Sequence, residues 1–312
     1  MQWNRDLPVL LVAYKRPELA RQAIQAIRRV RPSRLYFAVD GPRPDDREEA
    51  RVVNRVRALA TEIIDWDCEV RTLFRDENRG CALGVSEAIS WFFDQERTGV
   101  ILEEDCIPDP AFFNYARELL ERYADDPRIM HISGNTRVRI EESATSYFFS
   151  GYPQVWGWAT WRDAWRKFQM QHDDFESKLT RVLNRFDTDQ ERAYWEPVLR
   201  DTFSGKRDSW AYRWAFTQWL EDGLSTYPTS NMVENIGFGS DATHTGLFSE
   251  TRWLQPAATD PGDLRHPESV TRRADLDQEV FDRAYSKHPL PTRLFRIARS
   301  ATLSRFGHSQ TG

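Results

Sequence analysis

Three adjacent carboxylates, Glu103, Glu104 and Asp105, are the residues of this chain best suited to chemistry. They directly follow the apolar run of residues 100–102, which is typical of a buried strand in a parallel sheet. Open α/β sheets bind ligands just beyond the carboxyl ends of such strands, where three crowded acids repel one another. The pattern favours a hard cation that takes oxygen ligands and brings phosphates with it. An acidic, solvated strand-end loop is the alternative interpretation.

The elements that must position these acids alternate along the first half of the chain. Besides the acidic strand, the sequence predicts strands over residues 8–14, 35–39, 68–74 and 130–133, and helices from Pro17 onward and over 45–61, 82–93 and 110–123. Such alternation predicts βαβ units and an α/β fold with a parallel sheet. Neither GxGxxG nor GxxxxGK[ST] occurs, so bound phosphates would be held by a cation and by side chains.

The second half is rich in tryptophan. Trp156, Trp158, Trp161 and Trp165 fall within ten positions. Flat rings suit the apolar faces of sugars, and core packing is the competing interpretation. We expect Trp161 and Trp165 in the core and leave both alternatives open for Trp156 and Trp158.

Later segments carry two more candidate residues. Asp208 precedes an apolar stretch that is predicted to form a buried helix with Asp208 as its N-cap. Strands are predicted at 147–149 and 225–227, and His244 lies in a Gly-rich and Asn-rich loop over 231–246. From about residue 254 to 291 the composition is polar.

Composition excludes several classes of protein. The chain has 312 residues, enough for one or two domains, and its net charge of −5 gives no reason to expect nucleic acid as the main partner. The cysteine count of three is odd and has no metal-type spacing, which favours a reducing compartment over a disulfide framework. Since no secretion signal or membrane-spanning run is seen, a cytoplasmic location is expected.

The order of these segments resembles the GT-A-fold glycosyltransferases that use nucleotide sugars, especially family 2 enzymes and N-acetylglucosaminyltransferase I. The matching segments are residues 9–16, 38–41, 78–84, 100–105 with 110–113, 156–158 and 208–210. The resemblance spans residues 8–246 and implies a mixed, mostly parallel α/β sheet flanked by helices. It divides the chain into a nucleotide-sugar half (1–135), an acceptor half (136–250) and a C-terminal tail (251–312).

The resemblance also implies roles on the donor side. Asp105 matches the direct ligand of Mn²⁺ or Mg²⁺, and Glu103 and Glu104 would contact the ribose and metal-bound water. Asp40 and Asn78 match positions that touch the base and ribose. The acids here read Glu-Glu-Asp rather than the family's usual DXD. Arg16 would face the nucleotide, or else be a solvent-facing residue of a helix's first turn.

On the acceptor side, Asp208 matches the base that takes the proton of the attacking hydroxyl, although some members place that base where this chain has Ser209. A plain helix cap is the alternative role for Asp208. His244 would touch phosphate or metal, or be a surface residue without a role. Trp156 and Trp158 would form the acceptor-sugar platform.

The function implied is a metal-dependent, inverting transfer of a sugar from a nucleotide diphosphate sugar, with UDP-sugars favoured, to a hydroxyl of a glycan or glycolipid in bacterial surface polysaccharide or glycolipid assembly. A sugar-nucleotide pyrophosphorylase and a non-catalytic carbohydrate-binding protein are the alternatives. Residues 293–306 are predicted to form a basic amphipathic helix that contacts an anionic membrane surface peripherally. A helix packed on the catalytic domain or on a dimer partner is the other interpretation of this segment.

Overall fold

One eight-stranded sheet organises the computed structural model, which describes residues 6–138, 140, 143–237 and 263–286. Its strands are β1 (Val9–Ala13), β2 (Arg34–Val39), β3 (Glu69–Phe74), β4 (Thr98–Glu103), β6 (Ile129–Ser133), β7 (Tyr147–Ser150), β8 (Trp158–Trp161) and β9 (Leu224–Pro228), in the order β3-β2-β1-β4-β8-β6-β9-β7. Two short strands, β5 (Cys106–Pro108) and β10 (Val233–Asn235), form a separate antiparallel pair.

Strand direction brings several loops to one edge of the sheet. The strands β1, β2, β3 and β4 are mutually parallel. The strand β8 is antiparallel to both of its neighbours, β4 and β6, so β6 points the same way as β4, and β9 is parallel to β6. The edge strand β7 runs antiparallel to β9. The predicted mixed, mostly parallel α/β sheet is therefore confirmed.

Helices connect and cover these strands. They are α1 (Pro17–Arg28), α2 (Arg47–Glu62), α3 (Gly80–Gln95), α4 (Pro110–Arg122), α5 (Arg162–Trp165), α6 (Phe175–Leu183), α7 (Asp189–Phe203), α8 (Trp210–Leu220) and α9 (Ala274–Ala284). Pro17 and Pro110 stand at the first helical position, where a missing N–H costs nothing. Asp46 caps α2 by accepting a hydrogen bond from the backbone N–H of Glu49, 2.8 Å away.

Two apolar clusters form the core. The larger one surrounds the central strands and includes Trp161 and Trp165, as predicted. The second joins α6, α7, α8 and α9, and it buries Val280 and Phe281 of α9. Asp277, fully buried in α9, is bound by Ser150 Oγ at 2.6 Å and by the Arg272 guanidinium at 2.6 Å.

The polar composition of residues 254–291 gave no indication of α9. Residues 293–306, the predicted membrane-contacting segment, lie outside the described residues. Within the described ranges, no helix is both long enough and apolar enough to cross a bilayer.

Candidate active site

The acids at the end of β4 meet a guanidinium that follows β1. Glu103 is the last residue of β4, and Glu104 and Asp105 form the turn into β5. Arg16 Nε donates to Glu104 Oε1 at 2.7 Å, and Arg16 Nη2 donates to Asp105 Oδ2 at 2.9 Å. The structure thus brings together Arg16 and the three acids that the sequence singled out, because β1 and β4 are adjacent parallel strands.

Burial and mutual repulsion act on the charges of this cluster. Burial raises the pKa of Glu103 to about 8, and the charges of Asp105 and Glu104 add to that effect. Burial likewise raises the pKa of Glu104. The charges of Glu104 and Asp105 raise the pKa of Arg16 despite its own burial. The Glu103 side chain has no hydrogen bond or ion pair with any described residue. Ionising all three acids beside one guanidinium is therefore unfavourable, and a bound cation would relieve their mutual repulsion.

A buried glutamate fixes the loop that carries Arg16. Glu49 of α2 accepts hydrogen bonds from the Tyr14 hydroxyl, from Lys15 Nζ at 2.7 Å and from the Arg43 backbone N–H at 2.8 Å. These contacts outweigh its burial and lower the pKa of Glu49 to about 2. The β1–α1 loop is therefore anchored on α2 immediately before Arg16.

Asp40 follows β2, and Asn78 lies in the loop between β3 and α3. Asp40 accepts hydrogen bonds from Asn78 Nδ2, from the Gly41 N–H and from the Arg79 N–H, each at 3.0 Å. Burial raises the pKa of Asp40, although the hydrogen bonds from backbone N–H groups act to lower it. Gly80, at the start of α3, has a φ of +76°, a backbone conformation that glycine adopts without strain. The structure therefore joins Asp40 and Asn78 in one network beside α3.

Asp208 does not cap its own helix, so that prediction is wrong. Ser209 is the N-cap of α8, and its Oγ accepts from the Tyr212 N–H. The Asp208 carboxylate instead binds the start of α3, where Oδ2 accepts from the Cys81 N–H and Oδ1 from the Ala82 N–H, both at 2.8 Å. Asp208 itself is exposed.

Cys81 links Asp208 to the acidic cluster. Burial raises the pKa of the Cys81 thiol to about 12, and the charges of Glu103 and Asp208 add to the shift. The charges of both carboxylates therefore act on one thiol. Cys81 lies within the matching segment 78–84, and the sequence predicted no role for it. The sequence feature that could have indicated a role for Cys81 is its position directly after Gly80, at the start of a predicted helix.

Three consecutive residues that the sequence did not single out, 235–237, enclose Asp105. Asn235 of β10 points Nδ2 at Asp105 Oδ1 from 3.4 Å, and the Ile236 N–H donates to the Asp105 carbonyl at 2.8 Å. A Cβ on Gly237 would lie 2.3 Å from Asp105 Oδ2, so any larger residue would displace that carboxylate. The sequence feature that could have indicated these contacts is the Asn-Ile-Gly segment within the predicted loop. His244, from the same loop, lies outside the described residues.

The tryptophans divide between core and surface. Trp158 is fully buried on β8, with its ring stacked on His131 at 4.7 Å between centroids and on Trp210 at 5.7 Å. A ring enclosed in this way cannot stack on a sugar, so the acceptor role predicted for Trp158 is wrong. Trp156 remains partly exposed, with the Arg137 guanidinium 4.0 Å from its ring centroid.

The donor set decides what kind of metal site is chemically reasonable. In the part of the chain that the structure describes, no three His, Cys, Asp or Glu side chains are arranged to enclose a metal ion. Glu103, Glu104 and Asp105 offer oxygen atoms only. Cations of the Mg²⁺ type commonly take one or two carboxylates and complete their shell with water and substrate phosphates. These residues therefore fit a cation that binds together with a phosphate ligand, and they do not form a closed protein cage.

No protein-family model and no curated protein sequence matches this chain. Among solved structures, a UDP-glucose pyrophosphorylase complexed with UDP-glucose is 9% identical, with 70% of this chain and 89% of that chain covered and a TM-score of 0.36. A putative glucose-1-phosphate thymidylyltransferase from Bacillus anthracis is 9% identical, with 52% and 74% covered and a TM-score of 0.32. The glycosyltransferase GlyE of Streptococcus pneumoniae is 10% identical, with 66% and 45% covered and a TM-score of 0.30. TM-scores this low support no conclusion about function.

Proposed function

We propose that this chain is a glycosyltransferase that moves a sugar from a nucleotide diphosphate sugar to a hydroxyl of a glycan or glycolipid, with Mn²⁺ or Mg²⁺ as cofactor. The observation that carries the proposal is the cluster of strand-end carboxylates bound by Arg16, together with the exposed Asp208, whose charge acts with that of Glu103 on the Cys81 thiol. A group transfer from a diphosphate needs a cation, a positive side chain and a base, and this cluster supplies residues for all three.

On the donor side, Asp105 would hold the cation, and Glu103 and Glu104 would contact the ribose and metal-bound water. When bound, the cation supplies Lewis-acid stabilisation of the departing nucleotide diphosphate. Arg16 already reaches Glu104 and Asp105, so its guanidinium is within range of a diphosphate bound at the same acids and would share the departing charge. Asp40, which follows β2, and Asn78, in the loop between β3 and α3, would contact the ribose and base.

On the acceptor side, Asp208 would accept the proton of the attacking hydroxyl. The two hydrogen bonds from α3 use one lone pair on each carboxylate oxygen and leave others for the substrate. The N–H groups thereby fix the orientation of the base without blocking it. Direct attack by the hydroxyl on the side opposite to the leaving group would invert the anomeric configuration.

The first loop favours glycosyl transfer over pyrophosphorylase chemistry. A pyrophosphorylase would be expected to have a Gly-rich phosphate-binding loop after β1. This chain has Tyr14, Lys15 and Arg16 there, and their side chains contact Glu49 and the acidic cluster. The loop therefore provides side-chain charge rather than a cradle of backbone N–H groups.

A donor screen tests the proposal. The full chain is heated with UDP-, GDP- and dTDP-sugars, each with and without Mn²⁺, and the stabilising donor is then assayed for release of nucleoside diphosphate in the presence of glycan acceptors. A parallel reaction supplies the nucleoside triphosphate and sugar 1-phosphate and measures pyrophosphate. We expect Mn²⁺-dependent stabilisation by a nucleotide sugar and no pyrophosphate. Pyrophosphate formation, or no stabilisation by any donor, would contradict the proposal.

A further inference from the structure

Arg137, four residues after the end of β6, is a half-buried cation without a counter-ion among the described residues. Its Nε donates to Gln154 Oε1 at 3.4 Å, and its guanidinium lies 4.0 Å from the Trp156 ring centroid. Other enclosed arginines are better satisfied. Arg16 binds two carboxylates, and Arg213 donates to three backbone carbonyls at 2.6–3.0 Å.

The surroundings of Arg137 are aromatic and polar but not acidic. Burial lowers the pKa of Arg137, and the phenols of Tyr285 and Tyr227 oppose that shift. The Tyr227 hydroxyl is fully buried and has no hydrogen-bond partner within the described ranges. Enclosing a charge without a counter-ion is costly, and an anionic ligand would relieve that cost.

The sheet register places this group beside the donor cluster. Ser133 of β6 and Ile101 of β4 both pair with Trp158 of β8, so β4 and β6 reach the same level of the sheet about 10 Å apart. Glu103 comes two residues after Ile101 on β4, and Arg137 follows the end of β6 at the same edge. A ligand at Arg137 would therefore lie on the acceptor side of the acidic cluster.

We propose that Arg137, Gln154 and Trp156 form a subsite for a sugar that bears an anionic group, either a carboxylate or a phosphate. The guanidinium binds the anionic group, since its planar array of donors matches both a carboxylate and a phosphate. The exposed part of Trp156 packs against the pyranose ring. The assignment of this sugar as the acceptor rests on the proposed function, whereas its binding does not.

Matched ligand pairs test the subsite on the full chain by ligand-observed NMR and calorimetry. Methyl β-glucuronide is compared with methyl β-glucoside, and glucose 1-phosphate with glucose, so that the two pairs distinguish a carboxylate from a phosphate. We expect at least one anionic ligand to bind about tenfold or more tightly than its neutral counterpart. Equal binding within both pairs, or no binding of either anion, overturns the proposal.

Variants connect that preference to Arg137. Arg137→Met should abolish the preference, and Arg137→Lys should retain part of it. Arg122→Met is the control, because Arg122 also lies over an aromatic ring, that of Tyr123. An unchanged preference in Arg137→Met overturns the proposal, and if that variant does not fold, Arg137→Gln takes its place. Mn²⁺-dependent UDP binding is measured on every variant. Intact UDP binding with no anion preference in the wild type would refute the subsite alone and leave the proposed function standing.

Discussion

Asp208 has a structural contact and a proposed catalytic role, and Asp208→Asn separates them. The carboxylate accepts one N–H of α3 on each oxygen, from Cys81 and Ala82, both at 2.8 Å. Asparagine keeps the shape and one acceptor oxygen but loses the charge and the basicity. One N–H of α3 loses its partner, and the start of the helix loses a compensating negative charge.

The size of each effect follows from this geometry. Because Asp208 is exposed, water can replace the lost hydrogen bond. Loss of a helix cap typically costs about 0.5–2 kcal/mol, and loss of the charge costs about 0.3–1 kcal/mol. We therefore expect the free energy of unfolding to fall by about 1–2 kcal/mol. Removing a general base lowers turnover by about 10²-fold or more, and donor affinity should not change.

Asp46→Asn provides the matched control. Asp46 is also exposed, it caps α2 through the Glu49 N–H at 2.8 Å, and α2 and α3 both have 16 residues. Urea unfolding, turnover at saturating donor and the dissociation constant of UDP are measured on both variants. Asp46→Asn keeps its one hydrogen bond and loses only the charge, so it should lose about 0.3–1 kcal/mol, less than Asp208→Asn, and only Asp208→Asn should lose turnover. If Asp208→Asn keeps turnover within a few-fold of the wild type, Asp208 is a helix cap only and the base lies elsewhere.

Three further predictions concern other parts of the site. Gly237→Ala places a Cβ 2.3 Å from Asp105 Oδ2 and so displaces the carboxylate. We expect little loss of stability but about tenfold weaker Mn²⁺-dependent UDP binding, measured by calorimetry. Unchanged binding would refute this packing. Glu49 has its pKa lowered from 4.5 to about 2, so its ionised form contributes stability that is complete above pH 4.5 and is lost as the pH falls toward 2. In urea unfolding, the free energy of unfolding of Glu49→Gln should therefore be lower than that of the wild type at pH 7, and the difference should shrink at pH 3. An equal difference at both pH values would contradict the stabilising role of ionised Glu49. Trp158→Ala should lower the free energy of unfolding by about 3–5 kcal/mol because the ring is fully buried. Trp156→Ala should weaken sugar binding with a much smaller loss of stability. Similar losses of stability in both variants would contradict the division of the two tryptophans between core and surface.

Much of the sheet was predictable because β1, β2 and β4 contain short apolar runs that are followed by polar residues. The acids after β4 and Asp40 after β2 fall at strand ends for this reason. The strand β8 was not predictable from local pattern. Its four residues are buried on both faces and show no alternation, so only its pairing with β4 and β6 identifies it as a strand.

The connections within the site depended on contacts between distant residues. Arg16 binds Glu104 across 88 positions, and its first-turn location was equally compatible with solvent exposure. Asp208 and Ser209 are both good capping residues, and the sequence does not show which one caps α8. The choice follows from the approach of α3, whose Cys81 N–H lies 127 positions away in the chain.

The central claim is that the acids at the end of β4 hold a nucleotide diphosphate through a divalent cation. The most direct test is calorimetric titration of UDP, with and without Mn²⁺, into the wild type, Asp105→Asn and the control Asp109→Asn. Asp109 is a nearby aspartate that caps α4 through the Ala111 N–H. We predict Mn²⁺-dependent binding by the wild type and the control, and its loss in a folded Asp105→Asn. Tight UDP binding by Asp105→Asn that still requires Mn²⁺ would contradict the claim.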